Sequence, residues 1–117
     1  MSDARHPPDG HELDRLFADV EAVRRGLRQS AKTRRLLNAG PMKIAKKVGE
    51  EGVEIALAAM APRHRKAMLV SESADLFYNL CILWSVMDIA PEEVWAELAR
   101  RRASFGLAEK PGGRGDE

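Results

Sequence analysis

Residues 49 to 54 read GEEGVE, and eighteen residues after the last of these glutamates the chain reads ESAD. Acids at these spacings could build a site for a hard cation. On a helix, Ile44, Val48, Glu51 and Ile55 fall at i, i+4, i+7 and i+11, one continuous line, so Glu51 interrupts an apolar stripe. Glu54 lies one turn from both Glu50 and Glu51. Further on, Met68, Glu72, Asp75, Asn79, Ile82 and Val86 follow the same i+3 and i+4 steps, so Glu72, Asp75 and Asn79 occupy places where core residues would sit. Two such helices face to face bring five carboxylates together. Like charges so placed repel and raise one another's pKa unless a cation intervenes. A divalent cation with oxygen ligands is the economical partner, and Mg²⁺ held by carboxylates, waters and substrate phosphates is the commonest form.

Lys43, Lys46 and Lys47 precede these acids in the first two turns of the same predicted helix. Positive charge is unfavourable at a helix N-terminus by a few tenths of a kcal/mol (~0.3–1) per residue, so cations placed against the dipole point to an anion. Lysines that meet phosphate oxygens, next to acids that hold a phosphate-neutralising cation, are the parts of a metal-nucleotide site. The same spacing also allows a solvated face in which Lys46 pairs with Glu50 and Lys47 with Glu51, although with lysine first the orientation is the weaker one.

The elements that must position these residues are all helical. Leu13, Leu16, Phe17, Val20, Val23 and Leu27 predict an amphipathic helix over residues 11–29. The segment QSAKTRRLLNAG breaks that pattern and ends at Gly40-Pro41. Pro41 opens a second helix to about Met60, a third runs from about Arg65 to Met87, and the fourth begins at Pro91. The third is apolar nearly all round after Leu76 and belongs in the middle of a bundle. The fourth carries Glu92 and Glu93 in its first turn and Arg100, Arg101 and Arg102 in its last, following the macrodipole at both ends. Residues 1–10 and 106–117 read as loose tails around a single domain over 11–105. No strand, hairpin or repeat signal is present.

Composition sets the outer limits. The chain has 117 residues, 44% hydrophobic and 32% charged, which is ordinary for a folded soluble protein. A single domain of this size buries only about two-thirds of its unfolded surface, and a small helical fold often completes its core with another chain. A net charge of +1 gives no general pull toward nucleic acid or a membrane surface. Cys81 is the single cysteine, which excludes an intramolecular disulfide and a Cys-based metal cluster and reads as a buried small hydrophobe. The longest nearly apolar run, LFYNLCILWSVM, is well short of the roughly 20 residues of a membrane span, and the start lacks a signal-peptide core, so a cytoplasmic protein is expected. His64 falls in a basic connector and reads as exposed. His6 and His11 have no ligand partners. Trp84 and Trp95 read as packing or interface residues. Ser30 and Thr33 precede no catalytic base, and PGGRGDE has neither the strand nor the helix of a phosphate loop.

The segments KIAKKVGEEGVEIALAA, ESADLFYNLCILW and PEEVWAELARR, with TRRLLNAG before them, resemble the phosphoribosyl-ATP pyrophosphohydrolases within the wider MazG-like all-α nucleotide pyrophosphohydrolases, over about residues 11–105. The resemblance implies an all-α bundle of four to five helices completed by homodimerisation. It implies Mg²⁺-dependent hydrolysis of phosphoribosyl-ATP to phosphoribosyl-AMP and pyrophosphate in histidine biosynthesis, with Mn²⁺ as a possible substitute. On that likeness Glu50, Glu51, Glu54, Glu72 and Asp75 match the metal-binding acids, and Lys43, Lys46 and Lys47 match basic positions that meet phosphates. Glu51 or Glu54 would orient or deprotonate the attacking water, with Glu51 favoured because its line-of-core position is the most desolvated. The sequence departs from the pattern at Asn79, where His is expected, at Gly52, where Ala is usual, and in the basic connector APRHRKAMLV. Asn79 is retained as a phosphate-binding candidate. These departures leave open a different nucleoside triphosphate as substrate, or a helical dimerisation module whose acids are unused.

Overall fold

A computed structural model describes residues 7–104. Five helices follow in order: α1 (Glu12–Arg24), α2 (Ala31–Asn38), α3 (Pro41–Ala59), α4 (Arg65–Val86) and α5 (Pro91–Ala103), with no strand among the described residues. The architecture is all-α, as expected. Residues 1–6 and 105–117 lie outside the described part, and with them most of both predicted tails.

α1 buries Val20 and Val23, with Leu13, Leu16 and Phe17 packed against the same core. It stops five residues earlier than its apolar periodicity predicts. Gly26 adopts φ 78°, its N–H donates to the Val23 carbonyl and the Leu27 N–H donates to the Ala22 carbonyl, the paired bonds of a Schellman end. Leu27, predicted on the buried face, is carried outward and is 77% exposed.

The segment QSAKTRRLLNAG, which breaks the pattern of α1, contains a helix of its own, α2. Ser30 caps the helix by accepting from the Thr33 N–H at 3.2 Å, and Thr33 and Leu37 are buried on one face. The Thr33 hydroxyl and the Tyr78 hydroxyl lie 2.6 Å apart, which fastens α2 to α4. Gly40, at φ 95°, then turns the chain into Pro41 at the start of α3.

α4 is the central helix and packs against α1, α2 and α3, with Cys81 and Ile82 fully buried. Burial pushes the Cys81 thiol up to about 12, with a smaller push from the Asp14 charge, so it is an inert core residue as the sequence suggests. The helix ends in a second Schellman arrangement, with Asp88 at φ 57° and the Ile89 N–H on the Trp84 carbonyl. α5 is held by Trp95, whose ring meets Trp84 edge to face at 6.1 Å and whose N–H donates to Asp14 Oδ1 at 2.9 Å. Gly52 is not explained by close packing, since a Cβ there would meet nothing within 4 Å. It lies on a face of α3 that is open in the monomer. That face exposes Val53, Leu57 and Met60, and α4 exposes Met68, Val70 and Phe77.

Candidate active site

α3 and α4 pack along most of their length, and this sets Glu51 of the first opposite Glu72 and Asp75 of the second. The three carboxylates each bring an oxygen within 4.8 Å of the other two. Glu51 and Glu72 are half-buried, and Asp75 is exposed. No basic side chain forms an ion pair with any of the three among the described residues. Glu72 is accordingly pushed above the ordinary carboxylate value, first by desolvation, then by its contact with Glu51 and by the charges of Glu51, Asp75 and Glu54. Glu51 Oε2 is buried without a hydrogen-bond partner. Three converging acids, one of them with an orphaned oxygen, fit a hard divalent cation better than any partner the chain itself supplies.

The other two predicted acids stand apart from this group. Glu54 is exposed and outside the group of three, yet close enough for its charge to act on Glu72. Glu50 also lies outside the group of three. One residue from Glu51, it is turned about 100° around the helix and lines a different cleft, among the lysines.

That second cleft, about 470 Å³, is walled by Arg35, Lys43, Lys46, Lys47 and Glu50 around Leu36, Ala39 and Ile44. The i,i+4 ion pairs that the spacing allows, Lys46 with Glu50 and Lys47 with Glu51, do not form among the described residues. A smaller cavity of about 140 Å³ adjoins it, lined by Lys32, Leu36, Lys47, Glu51, Asp75, Tyr78 and Asn79. Lys47 and Leu36 belong to both, so the cationic cleft lies beside the acids. Lys32 lies 5.2 Å from the centre of the Tyr78 ring, a cation–π contact that holds it over this cavity.

Asn79 also differs from expectation. It is 4% exposed, and its amide nitrogen donates to the Asp75 carbonyl at 2.9 Å, while Oδ1 is buried without a partner. Oδ1 can only accept, so the phosphate contact expected of Asn79 would fall to the second N–H of its amide nitrogen. Lys32 and Arg35, which line the two cavities, are absent from the predicted site because they stand on α2, and Tyr78 of α4 is absent because its spacing marks it only as a core aromatic. The signal available for α2 was Ser30 as an N-cap, followed by Thr33, Leu36 and Leu37 at helical spacing.

Comparison with known proteins places the chain. The phosphoribosyl-ATP pyrophosphohydrolase family profile matches residues 12–102. The phosphoribosyl-ATP pyrophosphatase of Azospirillum brasilense is 45% identical over 98 residues, covering 84% of this chain and 86% of the relative. That of Cereibacter sphaeroides is 44% identical over 100 residues, covering 86% and 95%. Phosphoribosyl-ATP pyrophosphatase 2 of Rhodopseudomonas palustris is 42% identical over 98 residues, covering 84% and 73%. No solved structure gives a significant match. The chain belongs to the phosphoribosyl-ATP pyrophosphohydrolase family.

Proposed function

We propose that this protein hydrolyses phosphoribosyl-ATP to phosphoribosyl-AMP and pyrophosphate, a step of histidine biosynthesis, using Mg²⁺, with Mn²⁺ able to substitute. The observation that carries the reading is the meeting of Glu51, Glu72 and Asp75 within 4.8 Å, with no ion pair among the described residues, beside a cleft walled by Arg35, Lys43, Lys46 and Lys47. Glu51, Glu72 and Asp75 hold the cation, Glu54 completes the acidic end, and Glu50 acts from the lysine side. When bound, the cation neutralises phosphate charge and polarises the anhydride.

The chain's own residues do the remaining work. Lys43, Lys46 and Lys47 bind phosphate oxygens by charge-assisted hydrogen bonds and stabilise the negative charge that grows on the departing pyrophosphate. Arg35 and Lys32, brought alongside by α2, join them. Water adds to phosphorus as the anhydride bond breaks, and its proton passes to a carboxylate. Glu51 is the favoured base because it is the least exposed of the three acids on α3, with Glu54 the other candidate.

The active form is a homodimer in the cytoplasm. Val53, Leu57 and Met60 of α3 and Val70 and Phe77 of α4 leave an apolar surface uncovered in one chain, as a subunit interface would. No helix among the described residues is long and apolar enough to cross a membrane. Phe77→Asp should halve the mass measured by light scattering, and an unchanged mass would remove this face from the interface.

Replacing Glu51 or Asp75 with Ala should abolish Mg²⁺-dependent pyrophosphate release from phosphoribosyl-ATP while helical circular dichroism is retained. Full activity in either variant refutes the site. Wild-type protein that releases pyrophosphate from ordinary nucleoside triphosphates and not from phosphoribosyl-ATP refutes the substrate.

A further inference from the structure

Asn79 stands on the line of α4 that carries Glu72 and Asp75, one turn beyond the latter, and it is the most deeply buried of the three. Its amide orientation is set by the helix itself. The Asp75 carbonyl, 2.9 Å away, accepts from Nδ2, and exchanging the two amide atoms would set oxygen against oxygen there. Oδ1 is therefore committed to the opposite side, where it has no hydrogen-bond partner. Asn79 lines the cavity of about 140 Å³ together with Glu51 and Asp75, and Glu51 Oε2 is the other buried oxygen without a partner.

Two orphaned acceptors on facing helices, both on residues that line one cavity, call for donors or a cation. Of the donors around the cavity, the Tyr78 hydroxyl is shared with Thr33, Lys32 lies over the Tyr78 ring, and Lys47 makes no ion pair with Glu51 among the described residues. From this we infer that Asn79 is a member of the cation site, supplying through Oδ1 a neutral oxygen ligand on its inner side beside the carboxylates of Glu51 and Asp75. The inference rests on the reading of those acids as a cation site. An amide oxygen adds a hard ligand without adding a charge, which suits Mg²⁺ and Mn²⁺ among acids that already repel one another. An imidazole at this position would favour softer metals and would change charge near neutral pH.

The test is Mn²⁺ binding to the substrate-free protein, followed by the paramagnetic resonance signal of free Mn²⁺, alongside thermal melting of the metal-free protein. Asn79→Leu removes the orphaned acceptor at similar volume. Its Mn²⁺ affinity should fall by about tenfold or more, while the metal-free melting temperature holds or rises. Asn79→Asp restores an oxygen to the cavity and should bind Mn²⁺ at least as tightly as wild type, from a metal-free protein that melts lower because a further carboxylate joins the cluster. Should Asn79→Leu lose its helical circular dichroism, Asn79→Ser, with a shorter side chain, should show the same loss. A folded Leu or Ser variant that binds Mn²⁺ within about twofold of wild type overturns the inference. Glu51→Gln separates the two readings. Weakened binding there with unchanged binding in the Asn79 variants leaves the acids as a cation site and removes Asn79, whereas unchanged binding in Glu51→Gln refutes both.

Discussion

The two ends of this small bundle treat charge in opposite ways. On α1 and α5 the acids are matched by arginines: Arg15 bonds Asp9 at 3.0 Å and Glu12 at 2.6 Å, Arg28 meets Asp19 at 2.8 Å, and Arg100 and Arg101 both hold Glu97 at 2.9 Å. Those two arginines bring Glu97 down to about 2. Arg24 extends the pattern by donating to the Ser85 carbonyl at 2.7 Å while pairing with Asp88, which ties α1 to the C-terminal end of α4. Between α3 and α4 the acids instead face one another, Glu72 is raised, and the lysines one turn away stay apart from them. Pairing would have been simple, since Lys46 and Lys47 stand four residues before Glu50 and Glu51. The matched end serves the scaffold, and the unmatched end is where the proposed cation and anionic substrate would bind.

The contrast can be broken by converting one kind of region into the other. Glu72→Lys introduces a cation of the chain among the acids. Pyrophosphate release should fall by about 100-fold or more, because the carboxylates lose their cation, while the metal-free protein melts higher. A variant that keeps its activity would show that the unpaired acids are incidental. Lys47→Gln removes the cation common to both clefts and should lower kcat/KM for phosphoribosyl-ATP by about tenfold, the size of one charge-assisted hydrogen bond, with a weaker dependence on salt. Equal kcat/KM at low and high salt in wild type and variant alike would take the lysine cleft out of substrate binding.

Opposite pKa shifts make opposite pH slopes. Glu72, raised above 4.5, holds a proton in the folded chain over an interval in which the unfolded chain has released it. Folding then takes up a proton, and the contribution of Glu72 is complete below 4.5 and lost as pH rises through the raised value. The melting temperature of the metal-free protein should therefore decline as pH rises above 4.5, and Glu72→Gln or saturating Mg²⁺ should flatten that decline. Glu97 works in the other direction, with stability present above 4.5 and lost as pH falls toward about 2. The smallest effect is expected of Glu97→Gln. Its activity should equal wild type, and its melting temperature should change little at neutral pH, because exposed ion pairs contribute little. An activity loss in this variant would erase the distinction between the two ends.

Much of this arrangement is legible in the chain. Four of the five helices follow from apolar spacing with Pro41 and Pro91 at their starts, and the carboxylates declare themselves by interrupting that spacing. α2 escapes because eight residues hold too little periodicity to register, and with it go Lys32 and Arg35. The end of α1 is missed for a related reason, since Leu27 continues the apolar rhythm after the backbone has turned at Gly26. Five acids by spacing become a group of three by packing, because adjacent residues on a helix point about 100° apart, so that only one of Glu50 and Glu51 can face α4, and Glu54 is left exposed beside the group.

The sequence by itself determined the all-α class, the family, and which residues carry charge where packing would prefer none, because periodicity and residue type are local properties. The tertiary structure alone decided which of those charges meet, that the lysines leave the acids unpaired among the described residues, and that the buried oxygen of Asn79 is left without a partner. Those depend on the register of α3 against α4 and on a hydrogen bond to the Asp75 carbonyl, and no spacing rule within one helix contains either.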